Sequence, residues 1–261
     1  MLIQWFPGHM AKTKRLIIEH LKAVDVAAEL LDARIPLSSA NPMVEELLSG
    51  KPRIVILNKA DLADPGMTKA WESYYKRKGV AAVSMSCGNG KDKKKFLRLI
   101  KEAAGPMLEK WKRRGLKTRS ARIMILGIPN VGKSTLINFI SGTAAARTAN
   151  TPGHTRGKQW VRLSQGLDLL DTPGVLWPKF EDQTVGQHLA FIGSIKDELI
   201  QSVELALDLI EFLTASYPGI LGKTYSVDES EDSIAILNAI AVNRGCLKKG
   251  NELDHDKAAF L

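Results

Sequence analysis

Cysteine is nearly missing from these 261 residues, with only Cys87 and Cys246 present. Two cysteines cannot build a disulfide framework, and their separation fits no metal-ligand pattern. A reducing setting, the cytoplasm, is expected. No apolar run approaches the roughly 18 to 20 residues that a membrane-spanning helix needs. The opening stretch "MLIQWFPGHMAK" lacks a basic segment followed by a long apolar one, so it does not read as a signal peptide. Internal repeats and low-complexity tracts are also missing. Acidic residues are the minority: 28 Asp and Glu face 37 Lys and Arg, a formal net charge of +9. That excess suits a polyanionic partner, but charge alone does not separate RNA, DNA and anionic lipid. With 44% hydrophobic and 25% charged residues, the chain reads as a soluble globular protein.

Apolar strand-like runs alternate with helical patterns as far as Gly193. "DVAAELLDAR", "RIVILNK", "VAAVSMS", "ARIMILG", "QWVRLS" and "LDLLDTPG" read as strands. "KTKRLIIEHLKAV", "NPMVEELLSG", "MTKAWESYYKRKG", "KDKKKFLRLIKEAAG" and "GKSTLINFIS" read as helices between them. Such alternation predicts an α/β fold, a mostly parallel sheet with helices on both faces. From Ser194 onward "SVELALDLIEFLTASYP" and "DSIAILNAIAVNRG" have helical periodicity only. The expected organisation is an α/β domain over residues 1–193 and a small all-α domain over 194–261. A basic segment from Pro106 to Arg122 reads as a connector inside the first domain. The end, "NELDHDKAAFL", shows no firm helix stop, which leaves room for a further tail.

"GIPNVGKS", Gly127 to Ser134, fits G-x-x-x-x-G-K-[ST] between a strand and a helix. Glycines let backbone N–H groups turn inward around phosphate oxygens, and the helix N-terminus favours negative charge. Asn130, Val131, Gly132, Lys133, Ser134 and Thr135 are therefore expected to bind nucleotide. Lys133 would reach the β- and γ-phosphates and the Ser134 hydroxyl would ligate magnesium. "DTPG", Asp171 to Gly174, follows a strand; Asp171 would hold magnesium through water, and the Gly174 N–H would meet the γ-phosphate. Between them, "TANTPGHTRG" is rich in Gly, Pro and Thr. Thr155 is the expected metal ligand there and Thr151 its competitor. This loop and the loop after Gly174 would be switches.

"NKAD" carries Asn58, Lys59 and Asp61 at the end of an apolar strand. Asp61 can accept from guanine N1–H and the 2-amino group, donors that adenine lacks at those positions. Lys59 would lie along the base and Asn58 would brace the loop. "SMSCGNG" follows another strand and puts Ser86 and Cys87 where a second base-contacting loop belongs. The base reader thus precedes the phosphate loop, the reverse of an ordinary small GTPase. Circular permutation explains the order, with the segment from Pro106 to Arg122 as the join.

"WFPGHM", "DAR.P" at Asp32 to Pro36, "NKAD", "GIPNVGKS", "NTPGHTRG" and "DTPG", in this order and before a helical C-terminal part, resemble the YlqF/RbgA family. These are circularly permuted bacterial GTPases of ribosome biogenesis. The resemblance covers almost the whole chain. It implies GTP hydrolysis with magnesium and binding to ribosomal RNA and proteins of a maturing large (50S) subunit. The C-terminal helices would contribute to that contact. A monomer is expected, with no membrane partner.

Where many GTPases carry a water-orienting glutamine, this chain has Val175, so slow intrinsic turnover is expected, with stimulation by ribosomal particles. The resemblance favours His9 as a catalytic group beside Lys133, with His154 a second candidate. Asn130 would serve as a potassium ligand, as asparagine does at that position in related GTPases. Basic clusters stand at Lys12, Lys14, Arg15 and Lys22, at Lys91 to Arg98, and at Lys110 to Arg119. Trp111 could stack on a base or anchor the connector; Arg244, Lys248 and Lys249 are candidate RNA contacts. Two other functions stay open: a GTPase switch on another RNA or protein effector, and a nucleotide-binding scaffold with negligible hydrolysis.

Overall fold

The computed structural model describes residues 10–48, 50–115, 120–143, 159–163, 166–172, 174, 176, 182–195 and 201–261. Among these residues six strands form one sheet: β1 (Val26–Asp32), β2 (Arg53–Asn58), β3 (Ala81–Ser84), β4 (Ala121–Gly127), β5 (Gln159–Leu163) and β6 (Leu167–Asp171). Their spatial order is β3-β2-β1-β4-β6-β5. All neighbouring pairs are parallel except β5 with β6 at the edge. Parallel strands need cover on both faces, and β1 is accordingly buried at every position.

Alternation along the strands sorts the core. Ala27, Met124, Leu126 and Leu170 lie together beneath Ile17 and Leu21 of helix α1 (Met10–Leu21). Leu31, Val55 and Leu57 meet Tyr75 of helix α4 (Pro65–Arg77). Asp64 starts α4 by accepting from the Met67 N–H at 2.7 Å, with Pro65 as the first helical residue. Two short helices, α2 (Pro36–Ser39) and α3 (Pro42–Leu47), fill the β1–β2 connection.

The expected basic connector differs from what the structure shows. Helix α5 runs from Gly90 to Arg113 straight through Pro106, so the first part of that segment is helix. Phe96, Ile100, Ala104 and Trp111 are buried along one stripe of α5, and this packing outweighs the hydrogen bond that Pro106 cannot make. Trp111 is thus an anchor of the helix. The return from β3 to β4 along α5 is the step that brings the phosphate-loop strand beside β1.

The chain divides into two compact units between Leu189 and Ala190, inside helix α7 (Gln183–Phe191) and ahead of the expected 193/194. The second unit contains α8 (Ser202–Ser216), α9 (Ile220–Tyr225), α10 (Ser233–Asn243) and α11 (His255–Ala259). Ile210, Leu221, Ile236, Leu237, Ile240, Ala241, Cys246 and Ala258 form its core. Asp232 caps α10 through the Ala235 N–H at 2.7 Å.

Candidate functional site: a guanine nucleotide site at the strand ends

Strands β1, β2, β3, β4 and β6 run in one direction, so their C-terminal ends share one edge of the sheet. From β1 the chain steps outward through β2 to β3; from β4 it proceeds the opposite way to β6 and β5. The crevice between β1 and β4 is therefore a topological switch point, where open α/β sheets bind ligands.

The phosphate loop leaves β4 there and enters helix α6 (Lys133–Ser141). A Cβ at Gly132 would lie 2.5 Å from Asn58 Nδ2, and the φ of Gly132 is +99°. Both facts require glycine. Asn130 also has a left-handed backbone, φ 56°. Lys133 is buried and donates to the carbonyls of Gly127 at 3.2 Å and Ile128 at 2.6 Å. Burial lowers its ammonium to about 8, against the opposing pull of the Asp171 charge. Phosphate oxygens are natural substitutes for those two carbonyls.

Ser134 Oγ donates to Asp171 Oδ2 at 2.9 Å. Asp171 is buried, and its other oxygen, Oδ1, has no hydrogen-bond partner among the described residues. Burial raises the Asp171 carboxyl above its ordinary value, against the hydrogen bond from Ser134 and the Lys133 charge. An orphaned buried carboxylate oxygen beside a hydroxyl fits a hard divalent cation. Among the described residues no group of three or more His, Cys, Asp or Glu gathers to cage a metal. Thr172 fixes the strand end by donating to the Ile125 carbonyl at 2.5 Å. Gly174 lies against the phosphate loop: a Cβ there would approach Pro129 Cα at 2.6 Å.

The "NKAD" segment is joined to the same loop. Asn58 Nδ2 donates to the Val131 carbonyl at 2.8 Å, and Lys59 Nζ donates to the Asn130 carbonyl at 2.9 Å. Asp61 is exposed in the turn Ala60–Leu62. Cys87 Sγ stands 3.6 Å from Asn58 Oδ1, and burial, with the charge of Asp61, pushes its thiol up to about 11. The Ser86 N–H donates to Asp92 Oδ2 at 3.1 Å, which pins the loop after β3 to the start of α5. Thr135 is exposed at the start of α6. His9, Thr151, His154, Thr155 and Val175 lie outside the described residues.

Asp32 and Arg34, to which the motifs assign no task, also stand here. Asp32 ends β1 and is paired with Arg34 and Lys59. The available signal was an acidic residue at the end of an apolar strand, inside "DAR.P".

Residues 122–239 match the family model described as "50S ribosome-binding GTPase". The chain is also 47% identical over 263 residues to ribosome biogenesis GTPase A of Priestia megaterium, covering 100% of this chain and 91% of that relative. The chain belongs to the ribosome biogenesis GTPase A family. It is a P-loop GTPase, and its reversed motif order is the circular permutation consistent with that family. The Thermotoga maritima ribosome biogenesis GTPase A is 32% identical over 259 residues, with 99% of this chain and 88% of that protein covered. The GNP-bound YlqF crystal structure from T. maritima superimposes with a TM-score of 0.69 at 28% identity, covering 95% of this chain and 90% of that one. A GDP-bound YlqF structure gives 0.68 at 27% identity, covering 94% and 90%.

Proposed function

We propose that this family member hydrolyses GTP as an assembly factor of the large ribosomal subunit, docking on the maturing particle through ribosomal RNA. The observation that carries the reading is the 47% identity to a ribosome biogenesis GTPase over the full chain. It coincides with a base reader hydrogen-bonded directly to a phosphate loop.

The residues divide the work. Asp61 accepts from the guanine edge, and Lys59 lies along the base. Lys133 exchanges the carbonyls of Gly127 and Ile128 for β- and γ-phosphate oxygens. Ser134 and Asp171 would hold magnesium, with Thr155 as the switch ligand. The ion supplies charge neutralisation on the phosphates. The Gly174 N–H meets the γ-phosphate, and its missing Cβ lets that segment lie on Pro129. His9 orients or deprotonates the attacking water in the place that Val175 cannot fill. The Asn130 amide oxygen is a hard donor suited to potassium. Exposed Lys91, Lys94, Lys95 and Arg98 on α5 offer charge to RNA phosphates, as do Arg244, Lys248 and Lys249 in the second unit. The protein acts in the cytoplasm as a monomer that contacts rRNA and ribosomal proteins.

Sedimentation with large-subunit precursors tests the reading. Retention is expected with a non-hydrolysable GTP analogue and loss of retention with GDP. Nucleotide-independent or absent retention would point instead to a switch on another RNA or protein effector.

A further inference from the structure

Asp32 closes strand β1 at the switch point, and the nucleotide chemistry above does not use it. Its side chain is 0% exposed. A buried carboxylate must be paired, and this one is paired from several directions. Arg34 Nε donates to Oδ1 at 2.9 Å and Nη2 to Oδ2 at 2.8 Å. The Arg34 N–H adds a bond to Oδ1 at 3.1 Å. Lys59 Nζ stands 3.1 Å from Oδ2. The Asp32 N–H itself donates to Ser39 Oγ at 3.0 Å, which fixes the turn that follows. Burial pushes the Asp32 carboxyl up, but the bonds from Arg34 and the charge of Lys59 outweigh it and leave the group below its ordinary value.

Lys59 has a backbone that lysine seldom adopts, with φ at 57°. Such a conformation persists where the surroundings hold it. Its ammonium is clamped at the far end between Asp32 Oδ2 and the Asn130 carbonyl. One carboxylate on β1 therefore fixes a side chain on the base-reading loop, and that side chain reaches the phosphate loop.

A buried ion pair is poor evidence for stability, because well-packed apolar residues serve as well or better. The place of this one is more informative than its energy. It sits where strand order reverses, and it restrains a long flexible side chain that would otherwise lose freedom on binding. We infer that Asp32 is a positioning residue for guanine nucleotide binding: it sets Lys59 in its binding geometry before nucleotide arrives, and Arg34 in turn fixes the Asp32 carboxylate. The inference rests on the reading of Asn58 to Asp61 as the base reader.

A double-mutant cycle tests it, with fluorescent GDP binding as the readout and magnesium present. Asp32→Asn should weaken GDP about tenfold, the scale of a lost charge-assisted contact. In a Lys59→Met background the same substitution should cost no more than about twofold, since the group to be positioned is gone. Arg34→Met, at a partly exposed side chain, gives a second cycle that does not depend on Asp32→Asn folding. Its loss should likewise shrink without Lys59. Equal losses with and without Lys59 in the cycles would overturn the role of Asp32. A parent chain that binds ADP as tightly as GDP would overturn the base reader itself, and the inference with it.

Discussion

Asn58 donates its side-chain amide to the Val131 carbonyl at 2.8 Å, across 73 positions of sequence. This contact makes one site out of two motifs whose order in the chain is reversed. Asn58→Ala leaves a buried carbonyl without that donor, worth about 1–3 kcal/mol. GDP affinity should fall about five- to 150-fold by that arithmetic, while the sheet stays folded. Titration with fluorescent GDP, with circular dichroism as the folding control, checks both.

A substitution at Gly174 should separate binding from hydrolysis if its N–H meets the γ-phosphate as proposed. An added Cβ would meet Pro129 Cα at 2.6 Å and Pro129 N at 2.7 Å, backbone atoms that cannot swing aside. Gly174→Ala should displace the segment that follows β6 from the phosphate loop. Single-turnover GTP hydrolysis should fall about tenfold or more, the scale of losing a positioned N–H donor. GDP has no γ-phosphate, so its affinity should change by no more than about twofold on the same argument.

Much of this site is legible in the sequence because each motif follows an apolar strand. Parallel strands then bring Asn58, Gly127 to Ser134 and Asp171 to one edge whatever their order. Asp32 was harder to read. Its partner Lys59 is distant in the chain, and only strand pairing, with Asp32 opposite Asn58, brings them together. The continuation of α5 through Pro106 was hidden for another reason. A local rule says that proline ends a helix, while the buried stripe from Phe96 to Trp111 is set by tertiary packing. The short α9 and α11 carry too few residues for a period to show.

Lys133 gives the site a pH signature. Burial holds its ammonium at about 8 against an ordinary 10.5. Below about pH 8 both folded and unfolded chains carry the charge, and the nucleotide-free fold bears the full cost of burying it. Between there and 10.5 the folded chain releases the proton first, so the fold gains stability as pH rises. The melting temperature of Lys133→Met, compared with the parent across that window, should converge toward it. Bound phosphate favours the charged form, so GDP affinity of the parent should fall above pH 8, by up to about tenfold per pH unit for one proton.

Two of the proposed catalytic aids have simple tests. Equal molar potassium should give faster hydrolysis than sodium if Asn130 ligates the ion; equal rates would remove that role. His9→Ala should lower particle-stimulated kcat by about 10²–10⁴-fold, the range for a general base, with GDP affinity unchanged.

The central claim is that this GTPase acts on the maturing large subunit. The most direct measurement is single-turnover GTP hydrolysis with and without purified immature large-subunit particles, at matched salt and magnesium. Slow hydrolysis alone and a marked acceleration by immature particles, exceeding that by mature subunits, is the predicted result. Hydrolysis indifferent to the particles would contradict the account.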